Sequence, residues 1–154
     1  MPRFILFVSC ALSLAVVGCS GGSQSSNTST AANDEAQAHF TQISVEAVAA
    51  ALAAPEHRVA VYDANHRETY DEHHVPGATW VDYDGVTREQ LPTDTSTPLV
   101  FYCHNESCSA SHVAAESAVA MGFSDVSVMG AGITGWVAAG QPVETNATDA
   151  TATQ

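Results

Sequence analysis

The chain has 154 residues and a formal charge of -13, with 4 Lys+Arg, all of them arginine, against 17 Asp+Glu. That length allows one domain of ordinary size plus appendages. Nucleic acid and anionic membrane surfaces need basic patches, so the charge balance argues against both as partners. An acidic chain without lysine suits a salt-rich habitat, or equally a lineage whose exported proteins are acidic.

Met1–Gly18 has the make-up of an export signal. Arg3 gives a positive start, and Phe4–Val17 is an apolar run too short for a comfortable membrane span. The run ends Val16-Val17-Gly18-Cys19, which resembles a bacterial lipobox. Cleavage before Cys19 would leave that cysteine N-terminal and acylated. Burial of the acyl CH₂ groups would then hold the protein to a membrane. The alternative is a plain secretory signal with an incidental cysteine. Ser20, in place of Asp, resembles lipoproteins sent on to an outer membrane. The expected location is the cell envelope, on the periplasmic side of a membrane. Residues 19–38 are rich in Ser, Gly, Asn, Thr, Gln and Ala without apolar periodicity, and read as a flexible tether. Thr145–Gln154 reads as a similar, disordered polar tail, which leaves residues 39–144 as the folded domain.

Within that domain Phe40–Ile43 is a short first strand. Ser44 can cap a helix to about Ala53, in which Val45, Val48, Ala49 and Leu52 share a face. Arg58–Tyr62 reads as a buried strand ending at Asp63, and His66–Glu72 as a short polar helix. Pro76-Gly77 is a turn and Thr79–Tyr83 the next strand. Asp84–Thr97 is a polar connection. Leu99–Tyr102 is a short apolar run rich in β-formers, such as a buried strand shows. From Ala110 to Met121 the pattern is helical. Ala110, Val113, Ala114, Ser117, Ala118 and Met121 make one small, largely apolar face. Ser109 or Ser107 can cap its start, and Gly122 suits the C′ position. Val126–Met129 is a last strand and Ile133–Ala139 a last helix. This alternation predicts an α/β fold with a mainly parallel central sheet and helices on both faces. Right-handed crossovers then place Asp63 and Cys103 on one edge.

The loop Cys103-His-Asn-Glu-Ser-Cys108 joins that apolar strand to that helix. A cysteine there faces successive backbone N–H groups and the positive end of the helix dipole. Both stabilise an anion, so Cys103 is expected to be a reactive thiol of lowered pKa; the alternative is an inert buried one. Of the 4 cysteines, Cys10 belongs to the signal and Cys19 to the lipid site, so Cys103 and Cys108 remain in the mature domain. Cys108 has three readings. It is a resolving thiol that closes a disulfide with Cys103. It is half of a soft metal site with Cys103, His104 and His112. Or it simply packs at the helix start. The Cys-x4-Cys spacing is not a specific zinc pattern, and no cofactor is expected.

The stretch Leu99–Phe123 resembles the active-site loop of the rhodanese family. Tyr62–Tyr70 followed by His74-Val-Pro-Gly-Ala78 resembles the family's strand-ending Asp, short helix and "HIPGA" turn. Val128–Trp136 resembles its late strand, "GG" turn and Trp-bearing helix. Together they span roughly Phe40–Glu144. The resemblance implies a rhodanese-like fold and a sulfurtransferase. Cys103 would take a sulfane sulfur from a small donor, becoming a persulfide held by the loop His104, Asn105, Glu106, Ser107, Cys108 and Ser109. A thiol or other nucleophilic acceptor would then remove the outer sulfur. Asp63, His66 and Arg67 would line or support the pocket of a monomer.

The loop departs from the common family pattern. The usual glycine is replaced by the His104-Asn105-Glu106 region, and the usual arginine near the loop's end by Cys108 or Ser109. Rhodanese-fold phosphatases and arsenate reductases keep that arginine for an oxyanion, so phosphatase activity is not expected. Glu106 repels a doubly charged donor such as thiosulfate, which favours a less charged persulfide donor. His74 reads as structural, tying the Pro-Gly turn to its neighbours, and His73 as facing solvent. His66 lines the pocket or lies on the surface. Asp63 fixes loop backbone. Arg67 serves an anionic donor or pairs with a carboxylate. Trp80 and Trp136 read as core. Two other classes stay open: a thiol–disulfide or soft-metal-handling protein, and a non-catalytic rhodanese module that binds a partner.

Overall fold

The structure, a computed structural model, describes residues 39–55 and 59–146. The expected signal, the tether, Cys19, Arg58 and the tail from residue 147 lie outside the described residues. The elements are β1 (Thr41–Gln42), α1 (Val45–Ala53), β2 (Ala60–Asp63), α2 (Arg67–Glu72), β3 (Thr79–Trp80), a 3₁₀ turn (Arg88–Gln90), β4 (Leu99–Tyr102), α3 (Ala110–Ala120), β5 (Val126–Met129) and α4 (Gly132–Ala138). The strands form one parallel sheet in the order β1-β5-β4-β2-β3. β4 is its middle strand, pairing Tyr102 with Asp63 on one side and with Met129 on the other. A central strand covered on both faces is apolar throughout, which is why Leu-Val-Phe-Tyr reads so clearly.

Alternation along the strands sorts the side chains into two cores. Leu99, Phe101 and Cys103 join Tyr62, Val126 and Val128 in one, closed by Ala114, Ala115 and Ala118 of α3. Val100 and Tyr102 join Val61 and Met129 in the other, closed by Val45 and Val48 of α1 and by Ile133 and Trp136 of α4. Trp136 donates its indole N–H to Pro142 O at 2.7 Å, so its burial leaves no donor unmatched.

Several expectations need correction. The buried face of α3 is Ser111, Ala114, Ala115 and Ala118, while Val113 is exposed. The helix carries alanine on every side, so apolar spacing alone does not choose a face. Ser109 sits at the N-cap without a side-chain cap bond; its carbonyl accepts from His112 N and Val113 N. Leu52 is exposed and Trp80 only half-buried, and His73 is half-buried too. β3 ends at Trp80 because Val81 turns inward and the chain folds back at Asp82–Gly85. The polar connection is ordered, with Val86 and Leu91 buried in the α3-side core and a Thr87–Gln90 capping box between them. Hydrogen bonding also runs past Glu144. Asn146 N and Thr145 Oγ1 both donate to Asp71 O.

Candidate active site

Cys103 follows β4 directly and keeps the side-chain parity of Phe101, so its sulfur points toward α3. The residue is 1% exposed. Ser111, the second residue of α3, donates its hydroxyl to Cys103 Sγ at 3.5 Å. That contact puts the sulfur at the first turn of the helix, where the dipole favours negative charge. Sequence reasoning missed Ser111, because the face assigned to α3 turned it away from the core.

Cys103 and Cys108 are joined as a disulfide, with their Cα atoms 6.3 Å apart. Of the three readings for Cys108 this is the one the structure holds. His112 is not brought to the sulfurs. Its ring meets Phe40 edge-on at 5.3 Å and Gln42 at 3.5 Å, and its Nδ1 is buried without a hydrogen-bond partner. Among the described residues no group of three or more His, Cys, Asp and Glu is placed to hold a metal ion.

The loop backbone is less of an anion cradle than expected. Asn105 takes two of its donors, Ser107 N on Oδ1 and Cys108 N on its carbonyl, both at 3.0 Å. This is an Asx-type turn, which Asn favours. The other end of the loop is held by α4. Ile133 N donates to Cys103 O at 2.9 Å and Thr134 N to His104 O at 3.0 Å. Gly132, at φ +62°, lies so close that a Cβ there would stand 2.5 Å from Cys103 O and from the His104 carbonyl. Only glycine allows that approach.

Asp63 ends β2 fully buried. Its Oδ1 accepts from Asn65 N at 2.8 Å and Asn65 Nδ2 at 2.7 Å, which fixes the turn after the strand as expected. Its Oδ2 is buried and meets no donor in hydrogen-bonding geometry. Burial pushes the Asp63 carboxyl above its ordinary value, outweighing the lowering effects of the nearby Tyr102 hydroxyl, Asn65 and His74. Burial, then the Asp63 charge, raises the Tyr102 phenol, whose oxygen accepts from Val75 N at 3.0 Å. His74 is structural: its Nδ1 meets Tyr70 O at 2.7 Å and its ring stacks on Tyr70. Arg67 Nε donates to both oxygens of Asp71 at 3.1 Å, and its guanidinium lies over the Tyr70 and Trp80 rings. It pairs with a carboxylate and does not line the site.

A cleft of about 290 Å³ opens where the end of β2 faces the cysteine loop. Ala64, Asn65, His66 and Thr69 line it from one part of the chain, and His104, Cys108 and Ala110 from the other, with Tyr83 completing it. His66 lines this cleft and is exposed to solvent, so its two readings do not exclude each other. Glu106 is exposed and is not on the wall, which bears no Asp, Glu, Lys or Arg. Cys108, not Cys103, is the sulfur-bearing residue on that wall.

A parallel sheet whose middle strand delivers a cysteine to the mouth of a helix defines a class of cysteine-loop α/β domains. The model of the rhodanese-like domain family matches residues 44–139, more than half of the chain, and the chain belongs to that family. Solved structures agree. The rhodanese-like domain of an Anabaena protein is 25% identical with a TM-score of 0.58, over 75% of this chain and 89% of that one. A thiosulfate sulfurtransferase from Pseudomonas aeruginosa is 27% identical with a TM-score of 0.54, over 71% of this chain and 20% of that one. A protein from Bacillus halodurans, 20% identical with a TM-score of 0.63 over 69% of this chain and 77% of that one, shares the fold. Among curated proteins none matches the chain.

Proposed function

We propose that this protein is a sulfurtransferase of rhodanese type, working in the cell envelope and carrying sulfane sulfur as a persulfide on Cys103. The observation that carries the reading is the seat of Cys103. It directly follows the middle strand, and its sulfur receives the Ser111 hydroxyl at the first turn of α3. In the reduced protein the Cys103 thiolate attacks the outer sulfur of a small donor. The donor's S–S bond breaks and its electron pair leaves with the donor. A thiol or other nucleophile then attacks the outer sulfur of the persulfide, and Cys103 leaves as thiolate. The cleft wall, which carries no Asp, Glu, Lys or Arg side chain, suits a donor of low charge better than a dianion. Glu106, exposed and off the wall, acts on that choice only through solvent.

The working unit in this reading is a monomer attached through acylated Cys19, following the Val16-Val17-Gly18-Cys19 run. Among the described residues no helix is long and apolar enough to cross a membrane. Two measurements test the proposal. With pre-reduced full-length protein, sulfur transfer from a persulfide donor to a thiol acceptor is expected to vanish in Cys103→Ser and to survive in Cys108→Ser. Transfer by Cys103→Ser at the unmodified rate overturns it. For the anchor, Cys19→Ala is expected to move the protein from the membrane fraction to the soluble one; a variant that stays membrane-bound contradicts the acylation. The Cys103–Cys108 disulfide favours a second reading, a thiol–disulfide redox protein that cycles the same pair.

A further inference from the structure

The two sulfurs of the disulfide stand in different surroundings. Cys103 is 1% exposed in the α3-side core, and its sulfur meets Ser111 Oγ at 3.5 Å and the Cys108 carbonyl oxygen at 3.3 Å. Cys108 is half-buried and lines the cleft beside His66 and His104. Displacement at a disulfide runs in line, with the entering sulfur behind the sulfur it attacks. While the disulfide is closed, Cys103 offers almost no surface to an entering thiol, since the residue is 1% exposed and off the cleft wall. Cys108 borders the cleft, and access helps decide which sulfur reacts.

We infer that the oxidised protein is itself a substrate for a low-molecular-weight thiol, which enters this cleft and opens the disulfide at Cys108. The entering thiol gives up its proton to solvent and attacks as the thiolate. Its sulfur bonds to Cys108 Sγ, the Sγ–Sγ bond breaks, and the electron pair leaves on Cys103 Sγ. The products are a mixed disulfide on Cys108 and a Cys103 thiolate under the Ser111 hydroxyl. A second thiol attacks the outer sulfur of the mixed disulfide and frees Cys108. The balance is one protein disulfide reduced and two small thiols oxidised to their disulfide. A cleft of about 290 Å³ lies near the lower end of the range for small-molecule sites, and its wall carries no carboxylate to repel a thiolate. Cys108 is then the point of entry, a role that goes beyond the sulfur-transfer reading and does not depend on it.

The test uses the full chain purified without reductant, with reduced glutathione as the probe. After brief exposure the sample is quenched in acid and its free thiols are blocked with N-ethylmaleimide. Cleavage after glutamate separates the two cysteines, because Glu106 lies between them. Cys103 falls in Gln90–Glu106 and Cys108 in Ser107–Glu116. The expected result is glutathione on Ser107–Glu116 and maleimide on Gln90–Glu106, favoured over the reverse by roughly tenfold or more. Glutathione on Gln90–Glu106 in equal or greater amount overturns the inference. So does a disulfide that survives excess glutathione, or maleimide on both peptides before glutathione is added. Persulfide formation on pre-reduced protein is a separate readout, so loss of either result leaves the other standing.

Discussion

Ser111 is the side chain that gives Cys103 a defined hydrogen-bond donor, and it is as buried as the cysteine, at 1% exposure. Ser111→Ala is expected to slow sulfur uptake by roughly threefold to tenfold, the effect of one modest hydrogen bond, in a stopped-flow measurement. An unchanged rate removes Ser111 from the site. Asp63 makes a prediction about pH. Burial raises its carboxyl above the ordinary 3.8, so the folded chain binds that proton more tightly than the unfolded one. Stability from this group is therefore greatest below the unfolded value. It falls as pH rises through the window up to the raised folded value, and is flat above it. Asp63→Asn keeps an oxygen for Asn65 and removes that slope. Its urea midpoint is expected to match or exceed that of the natural chain at neutral pH, with the gain shrinking as pH falls; a lower midpoint at neutral pH contradicts this. Both Cys103 and Asp63 were legible in the sequence because each ends an apolar strand. Ser111 was not, since the hydroxyl of a serine in an alanine-rich helix announces no direction.

At the scale of elements, the loop is held between α3 and α4. Gly132→Ala would force a Cβ into the Cys103 and His104 carbonyls at a positive φ. The left-handed backbone alone costs about 1–2 kcal/mol for a residue with a Cβ. The clash with backbone adds to that, so both the urea midpoint and the transfer rate are expected to drop together. Ala114, fully buried on α3 against the core of Phe101 and Cys103, tests the other side. Ala114→Leu overfills that face and is expected to cost about 1–3 kcal/mol in a urea titration. A neutral effect would contradict the tight packing of Ala114 against that core. Helix bounds came close from capping and periodicity, as at Ser44, whose hydroxyl accepts from Ala47 N, and at Gly122, at φ +93°. The facing of α3 did not, because small residues on all sides leave packing to be decided by the partner sheet.

For the folded domain taken whole, the parallel α/β class was legible because buried strands such as Leu99–Tyr102 and Val126–Met129 are unbroken apolar runs. The cleft was not, because Asn65, Thr69 and Tyr83 meet Cys108 only through the strand order. The disulfide was one of three readings of a single spacing, and burial of Cys103 beside a half-buried Cys108 is a property of the fold. The proposed function stands or falls on Cys103 as the sulfur carrier. Its most direct measurement is mass mapping of pre-reduced full-length protein after incubation with a persulfide donor and cleavage after glutamate. One added sulfur atom is expected on Gln90–Glu106, absent in Cys103→Ser and retained in Cys108→Ser. Sulfur on Ser107–Glu116 instead, or on neither peptide, would contradict it.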